Sequence, residues 1–194
     1  MKVYMDDVEF SQLLAALHTL RPKRVLEWGS GGSTVALLKH CPYIETMVSV
    51  EHDKRWFEHV VSNIQDPRLT LQLVEPQKYQ DIFEKSCCQK NLVTRWGVKR
   101  AFERFKDLAE QDASAMADYI RKPRSLHPSY DFILVDGRAR IHCLKEGYEP
   151  LKPGGVMMLH DAQRPEYLAT LSSLPHIFLH PWSRGQLCLI PKPA

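Results

Sequence analysis

No apolar run in this 194-residue chain approaches membrane-spanning length, and Met1–Asp7 carries none at all, so neither a membrane helix nor a leader is expected. Cysteine is scarce and poorly spaced for joint work. The five residues, Cys41, Cys87, Cys88, Cys143 and Cys188, form no CxxC pair, and two neighbours such as Cys87 and Cys88 are badly placed to share one metal ion. A disulfide scaffold and a zinc cluster are thereby disfavoured, and reduced thiols in a cytoplasmic protein are the expectation. An excess of one charge is also missing: the net charge is +3 with no basic cluster, so a nucleic-acid partner is disfavoured while a small anionic ligand is allowed. Internal repeats and low-complexity tracts are absent too.

What remains is an ordinary globular composition, 44% hydrophobic and 25% charged, in a chain long enough for one domain with a full core. Residues 1–194 are therefore read as a single domain. Phe10, Leu13, Leu14, Leu17 and Leu20 recur at helical spacing, which predicts an amphipathic helix against the sheet edge, stopped by Arg21-Pro22. Arg24–Trp28, Thr46–Glu51, Leu69–Val74, Tyr130–Asp136 and Val156–His160 read as strands, with helical patterns after most of them. After the second strand, Trp56, Phe57, Val60, Val61 and Ile64 are expected to face inward. Such alternation predicts an α/β fold, a doubly wound and mostly parallel sheet. Ile177–Leu179 and Gln186–Ile190 are too close for a crossover helix, so they should add an antiparallel edge hairpin and bring the sheet to seven strands. Between Pro76 and Ser129 no strand pattern occurs. Phe102, Phe105, Leu108, Ala109, Met116 and Ile120 suggest a helix or a broken helix pair there, and 77–129 reads as an insertion or lid.

Gly29 and Gly31 stand where the first strand must turn sharply into a helix, and without a Cβ they let a ligand approach the backbone. Alone, that is also the mark of a plain strand-to-helix turn. Glu27 two residues earlier and Glu51 at the end of the next strand sharpen it, because a carboxylate in the second position can accept both ribose hydroxyls of an adenosine. A dinucleotide fingerprint would need glycine where Thr34 stands. An acid at Glu27 would also repel a pyrophosphate. Adenosine attached to a cation satisfies both conditions, and S-adenosylmethionine is such a molecule.

The runs Glu27-Trp-Gly-Ser-Gly-Gly-Ser-Thr34, Val48-Ser-Val-Glu-His-Asp53, Asp131-Phe-Ile-Leu-Val-Asp-Gly-Arg138 and Leu151-Lys-Pro-Gly-Gly-Val-Met-Met-Leu-His-Asp161 resemble, in order and spacing, the successive motifs of class I S-adenosylmethionine-dependent methyltransferases. The runs Asp136-Gly-Arg-Ala-Arg140 and His160-Asp-Ala-Gln-Arg164 further resemble a branch containing glucuronoxylan-type O-methyltransferases. The resemblance implies a Rossmann-like fold and transfer of a methyl group to oxygen. It covers Arg24–Val74 and Tyr130–Arg164 and leaves 77–129 unmatched. A nucleic-acid methyltransferase is the weaker reading, since the Asn-Pro-Pro-aromatic or Asp-Pro-Pro-aromatic run of base amino methylation is absent.

Carried onto this sequence, the resemblance implies that Glu27, Trp28, Gly29, Ser30, Gly31, Ser33 and Thr34 surround the methionine end, with Glu51 on the ribose, His52 on the adenine and Asp136 beside the cofactor. Asp136 and Asp161 end adjacent strands, where metal-dependent relatives hold a divalent cation, and hard oxygen ligands suit magnesium or manganese. Alternatively, Asp136 contacts the cofactor or caps a turn while Asp161 caps a helix. His160 is a candidate general base or a satisfied core histidine. Arg138, Arg140 and Arg164 follow the same strand ends, where guanidinium forks recognise carboxylates, although Arg140 and Arg164 could equally be solvated. The acceptor is expected to be a small or saccharide-like anion, and a homodimer is left open. A competing reading is a non-catalytic binding or scaffold protein whose cleft is plugged by Trp96 or Phe102.

Overall fold

The computed structural model describes residues 1–87, 92–180 and 185–194, with side chains at 86–87 and 92–96 outside the description. Cys88 and the side chains of Cys87 and Trp96 therefore lie outside the described residues.

Seven strands form one sheet: β1 (Arg24–Trp28), β2 (Thr46–Glu51), β3 (Leu69–Leu73), β4 (Tyr130–Val135), β5 (Leu151–Leu159), β6 (Ile177–Phe178) and β7 (Cys188–Pro191). Their spatial order is β3-β2-β1-β4-β5-β7-β6. The first five run parallel, and β7 pairs antiparallel with β5 and β6. β1 and β4 are centre strands buried on both faces, which is why Val25–Trp28 and Phe132–Val135 are almost wholly apolar. The order reverses between β1 and β4, and at such a switch point the carboxyl ends of the strands open a crevice.

Helices cover both faces: α1 (Asp7–Leu20), α2 (Gly32–His40), α3 (Lys54–Asn63), α4 (Gln80–Cys87), α5 (Leu92–Gln111), α6 (Ala117–Leu126), α7 (Arg140–Tyr148) and the single turn α8 (Leu168–Leu171). α1 begins in a capping box, with Asp6 accepting from Val8 and Glu9 reaching back to the Asp6 amide. Its buried Leu13 and Leu17 join Val25, Leu37, Phe132, Leu134 and Met158, so α1 lies over a face of the sheet and not at its edge as the sequence suggested. Leu20 is left exposed, and so is Val61 on α3, because each stripe is narrower than its apolar residues implied. The described residues of 77–129 are mostly helical: α4 and α5, then a short 3-10 turn at Ala113–Met116 and α6. Phe105, Ala109, Met116 and Ile120 are buried as expected. The turn read at Lys152–Gly155 is instead a bulge inside β5: Tyr130 pairs with Leu151 but Phe132 already pairs with Val156. Gly154 takes φ +76° there, and the excursion is tied to the C-terminus by Lys192.

α7 has an unusual start. Its N-cap residue is Ala139, at φ +53° and with no side-chain cap. Glu110, near the end of α5, supplies the missing acceptors, taking the amides of Arg140 and Ile141 at 2.9 Å each. A buried carboxylate at a helix N-terminus satisfies orphan donors and the helix dipole together. Glu110→Ala is expected to cost about 2–4 kcal/mol, two charge-assisted bonds being lost, read as a lowered urea midpoint. An unaltered midpoint would show that the cap is dispensable.

Candidate functional site

A cleft of about 740 Å³ opens at the carboxyl ends of β1, β2, β4 and β5, within the range of small-molecule sites. Its floor is the crossing of two glycines. Gly29 adopts φ +96°, and a Cβ placed on it would stand 2.6 Å from the Gly137 backbone. A Cβ on Gly137 would stand 2.1 Å from the Tyr119 hydroxyl. The β1 and β4 turns can therefore meet only as bare backbone, which the glycine spacing signalled on one side and the Asp136-Gly137 pair on the other.

Of the residues singled out in the sequence, Gly29, Ser30, Gly31, Ser33, Glu51, His52, Asp136, Arg138, His160 and Asp161 line this cleft. Glu51 is almost fully buried. Its Oε1 accepts the amides of His52 at 2.7 Å and Asp53 at 2.8 Å and lies 2.8 Å from His52 Nδ1, whereas among the described residues Oε2 receives the Ser30 hydroxyl at 3.2 Å. With these groups gathered on Oε1, Oε2 keeps an acceptor direction for another hydroxyl. His52 is packed among Phe83, Phe105 and Tyr119, its ring parallel to that of Phe105 at 6.4 Å.

Three expected cofactor residues lie elsewhere. Trp28 is in the core, its indole N–H donating to the Tyr119 carbonyl at 3.1 Å. Glu27 and Thr34 sit one layer beneath the turn with no exposed surface. Glu27 accepts from Ser33 at 2.6 Å, Thr34 at 2.5 Å and Ser49 at 2.7 Å, and Thr34 in turn accepts the Gly31 amide at 2.8 Å. Glu27 is thus the anchor of the glycine turn. Burial pushes its carboxyl up to about 7, with the three hydroxyls pulling it down against that and Asp136 adding a further rise.

Beyond the turn, Asp136 Oδ1 lies 2.6 Å from His160 Nδ1. Burial works to lower the His160 pKa, but the bond to Asp136 and the charges of Asp136 and Asp161 outweigh it and hold the imidazole above its ordinary value. The other ring nitrogen faces Glu9 Oε1 at 3.6 Å, a buried oxygen without a hydrogen-bond partner among the described residues. Glu9 had no sequence signal beyond its place in the capping box. Asp161 takes a left-handed φ of +57° and is bonded by Arg140 and Arg164. Burial would raise its pKa, yet His160, Arg140 and Arg164 together hold it below the usual carboxylate range.

Of the three arginines, Arg140 is only 4% exposed and so is not the solvated residue that the sequence equally allowed. Arg138 lays its guanidinium over the Phe102 ring at 4.3 Å, a cation–π contact, and has no carboxylate within ion-pair distance among the described residues. Phe102 is 41% exposed and lines the rim with Val98, Glu103 and Lys106, so α5 narrows the cleft without filling it. Trp56, read as a core residue, also reaches the cleft, where its indole N–H closes the turn by donating to the Ser30 carbonyl at 2.7 Å. Among the described residues, no group of three or more His, Cys, Asp or Glu is arranged to hold a metal ion. Nor is any helix there long and apolar enough to cross a membrane.

No protein-family model and no curated protein sequence matches this chain. Solved structures do. A methyltransferase-like protein from Silicibacter pomeroyi is 17% identical with a TM-score of 0.56, the match covering 100% of this chain and 90% of that one. The O-methyltransferase of tomaymycin synthesis from Streptomyces achromogenes, in complex with S-adenosylmethionine, is 11% identical with a TM-score of 0.59, covering 97% and 81%. An N-methyltransferase from Bradyrhizobium japonicum is 11% identical with a TM-score of 0.52, covering 97% and 99%. At these identities the likeness establishes the fold, the Rossmann-like mixed sheet shared by class I methyltransferases. The glucuronoxylan-type branch gains no support from them.

Proposed function

We propose that this chain is an S-adenosylmethionine-dependent methyltransferase that acts on an oxygen of a small or saccharide-like anionic acceptor. One observation carries the reading: the glycine crossing, the Glu51 carboxylate and the Asp136–His160 pair all open on one cleft of about 740 Å³. The cofactor fits the residues present. Bare backbone at Gly29 and Gly31 allows close approach, Glu51 Oε2 has an acceptor direction left for a ribose hydroxyl, and His52 offers a ring beside it. When bound, S-adenosylmethionine supplies a sulfonium-activated methyl group.

The chain's own part is alignment and proton removal. Ser30, Gly31 and Ser33 would position the methionine end, while Arg138 and Arg164 would attract an acceptor carboxylate by two-point contacts. In this reading Arg138 is the main anion receptor, because Arg164 is already paired with Asp161. Asp136 would receive the acceptor proton, with His160 bonded behind it to steady the charge. Asp161 would orient Arg164. The saccharide-like acceptor rests on the Asp136–Arg140 and His160–Arg164 runs. A divalent cation does not fit, because Arg140 already bridges the two carboxylates proposed to hold it, so no step passes through a metal.

Calorimetry with S-adenosylhomocysteine tests the reading and is expected to show saturable binding to the purified chain; its absence from folded protein would refute it. Glu51→Ala should weaken that binding by about 10- to 100-fold, the value of one or two hydrogen bonds to a charged group. Equal affinity for the variant would remove Glu51 from the ribose.

A further inference from the structure

Arg140 is placed inside the strand-end cluster and not on its rim. A guanidinium carries five N–H donors in a fixed plane. All five are engaged: Nε donates to the Gly137 carbonyl at 3.0 Å, Nη1 to the His160 carbonyl at 2.6 Å and Asp161 Oδ2 at 3.3 Å, and Nη2 to the Asp136 carbonyl at 2.7 Å and Asp136 Oδ1 at 3.2 Å. Its own amide is fixed from the other side by Glu110. The side chain therefore joins the ends of β4 and β5 through three carbonyls and two carboxylates.

We propose that Arg140 is a built-in cation that takes the place of a divalent metal between Asp136 and Asp161, so that any reaction at this site is metal-independent. The clause about reaction rests on the methyltransferase reading; the charge pairing does not.

Each carboxylate already has fixed positive or proton-bearing partners, Arg140 and His160 for Asp136, and Arg140 and Arg164 for Asp161. A magnesium-type ion needs near-octahedral oxygen ligands close around one point. Here the guanidinium plane occupies the space between the two acids and directs N–H groups at their oxygens. An entering ion would meet two guanidinium charges and would have to displace a side chain that three backbone carbonyls also hold. A planar fork suits such a place better than a lysine would, because only arginine can serve five acceptors at fixed angles.

Manganese(II) is the probe. With the full chain and S-adenosylhomocysteine, the spin-resonance signal of free manganese is expected to stay undiminished into the millimolar range, and chelator treatment should leave S-adenosylhomocysteine affinity unchanged. Stoichiometric manganese binding that Asp161→Asn abolishes would overturn the proposal. Arg140→Met should melt at a lower temperature and recover part of the loss when manganese is added, whereas Arg140→Lys, which keeps a cation, should gain nothing from the metal. A folded Arg140→Met variant indifferent to manganese would mean that the guanidinium is only a mechanical brace, and the proposal would fail. If that variant does not fold, the wild-type and Asp161→Asn measurements decide alone. Absence of any S-adenosylhomocysteine binding would defeat the methyltransferase reading, while the manganese result would still judge Arg140.

Discussion

Gly29→Ala is expected to lower stability by about 3–5 kcal/mol and to abolish S-adenosylhomocysteine binding. Two costs add at this one residue. Its φ of +96° lies where an L side chain is strained, and the new methyl group would stand 2.6 Å from the Gly137 Cα and N, both backbone atoms that cannot swing aside. The turn above Glu27 and the end of β4 would have to part, which opens the floor of the cleft. Gly97→Ala is the matched control, because among the described residues nothing lies within 4 Å of a Cβ at that helical position. It should leave ligand binding intact and raise stability by about 0.5–1 kcal/mol, since alanine is the better helix former. Equal urea midpoints for Gly29→Ala and the wild type would sink the backbone-crossing account.

Glu27→Gln should be nearly silent at about pH 4 and stabilising above neutrality, by about 3 kcal/mol at pH 8. The carboxyl is fully buried, and desolvation lifts it from 4.5 to about 7 in the folded protein. A group whose pKa is raised on folding contributes its full stability below the unfolded value and loses it as pH climbs through the folded one. The wild type should therefore lose stability between about pH 4.5 and pH 7, while a neutral glutamine at the same place does not titrate. Denaturation midpoints of both proteins across this range provide the measurement. Parallel curves would mean that Glu27 is ionised in the fold with its three hydroxyl donors fully compensating its burial. Glu27→Ala should behave differently, because it leaves the donors of Ser33, Thr34 and Ser49 unpaired at every pH.

Much of the scaffold was legible because it depends on local pattern. The two-sided apolar runs of β1 and β4 marked centre strands, and the short spacing before β7 left no room for a crossover. Phe105, Ala109 and Met116 marked the buried face of helices in a segment that matched no motif. Misplaced residues share one cause, namely a partner far away in sequence. Glu27 was placed at the ligand because nothing local shows that Ser49 on the next strand and Thr34 on the following helix converge on it. Arg140 was left open between the cleft and a solvated surface because exposed charge is normal, and only the pairing of β4 with β5 brings His160 and Asp161 to its fork. Glu9 and Glu110 were missed outright, since each is an unremarkable acid on an amphipathic helix until the fold presses it against His160 or α7. Trp56 shows the converse: its helical spacing was right, but the face it occupies borders the glycine turn.

The cap that Glu110 places on α7 also sets the mechanics of α5. That carboxylate pins the helix one residue before its end, whereas Phe102 stands eight residues earlier, roughly 12 Å along the axis at 1.5 Å per residue. Between them Phe105 and Ala109 are buried, so the stretch that carries the Phe102 rim is held by packing as well as by the cap. Glu110 ends that stretch on the amide of Arg140, the same residue whose side chain lies between Asp136 and Asp161. The rim of the cleft and the charge at its floor thus share a single anchor, the backbone of one arginine serving the first and its side chain the second.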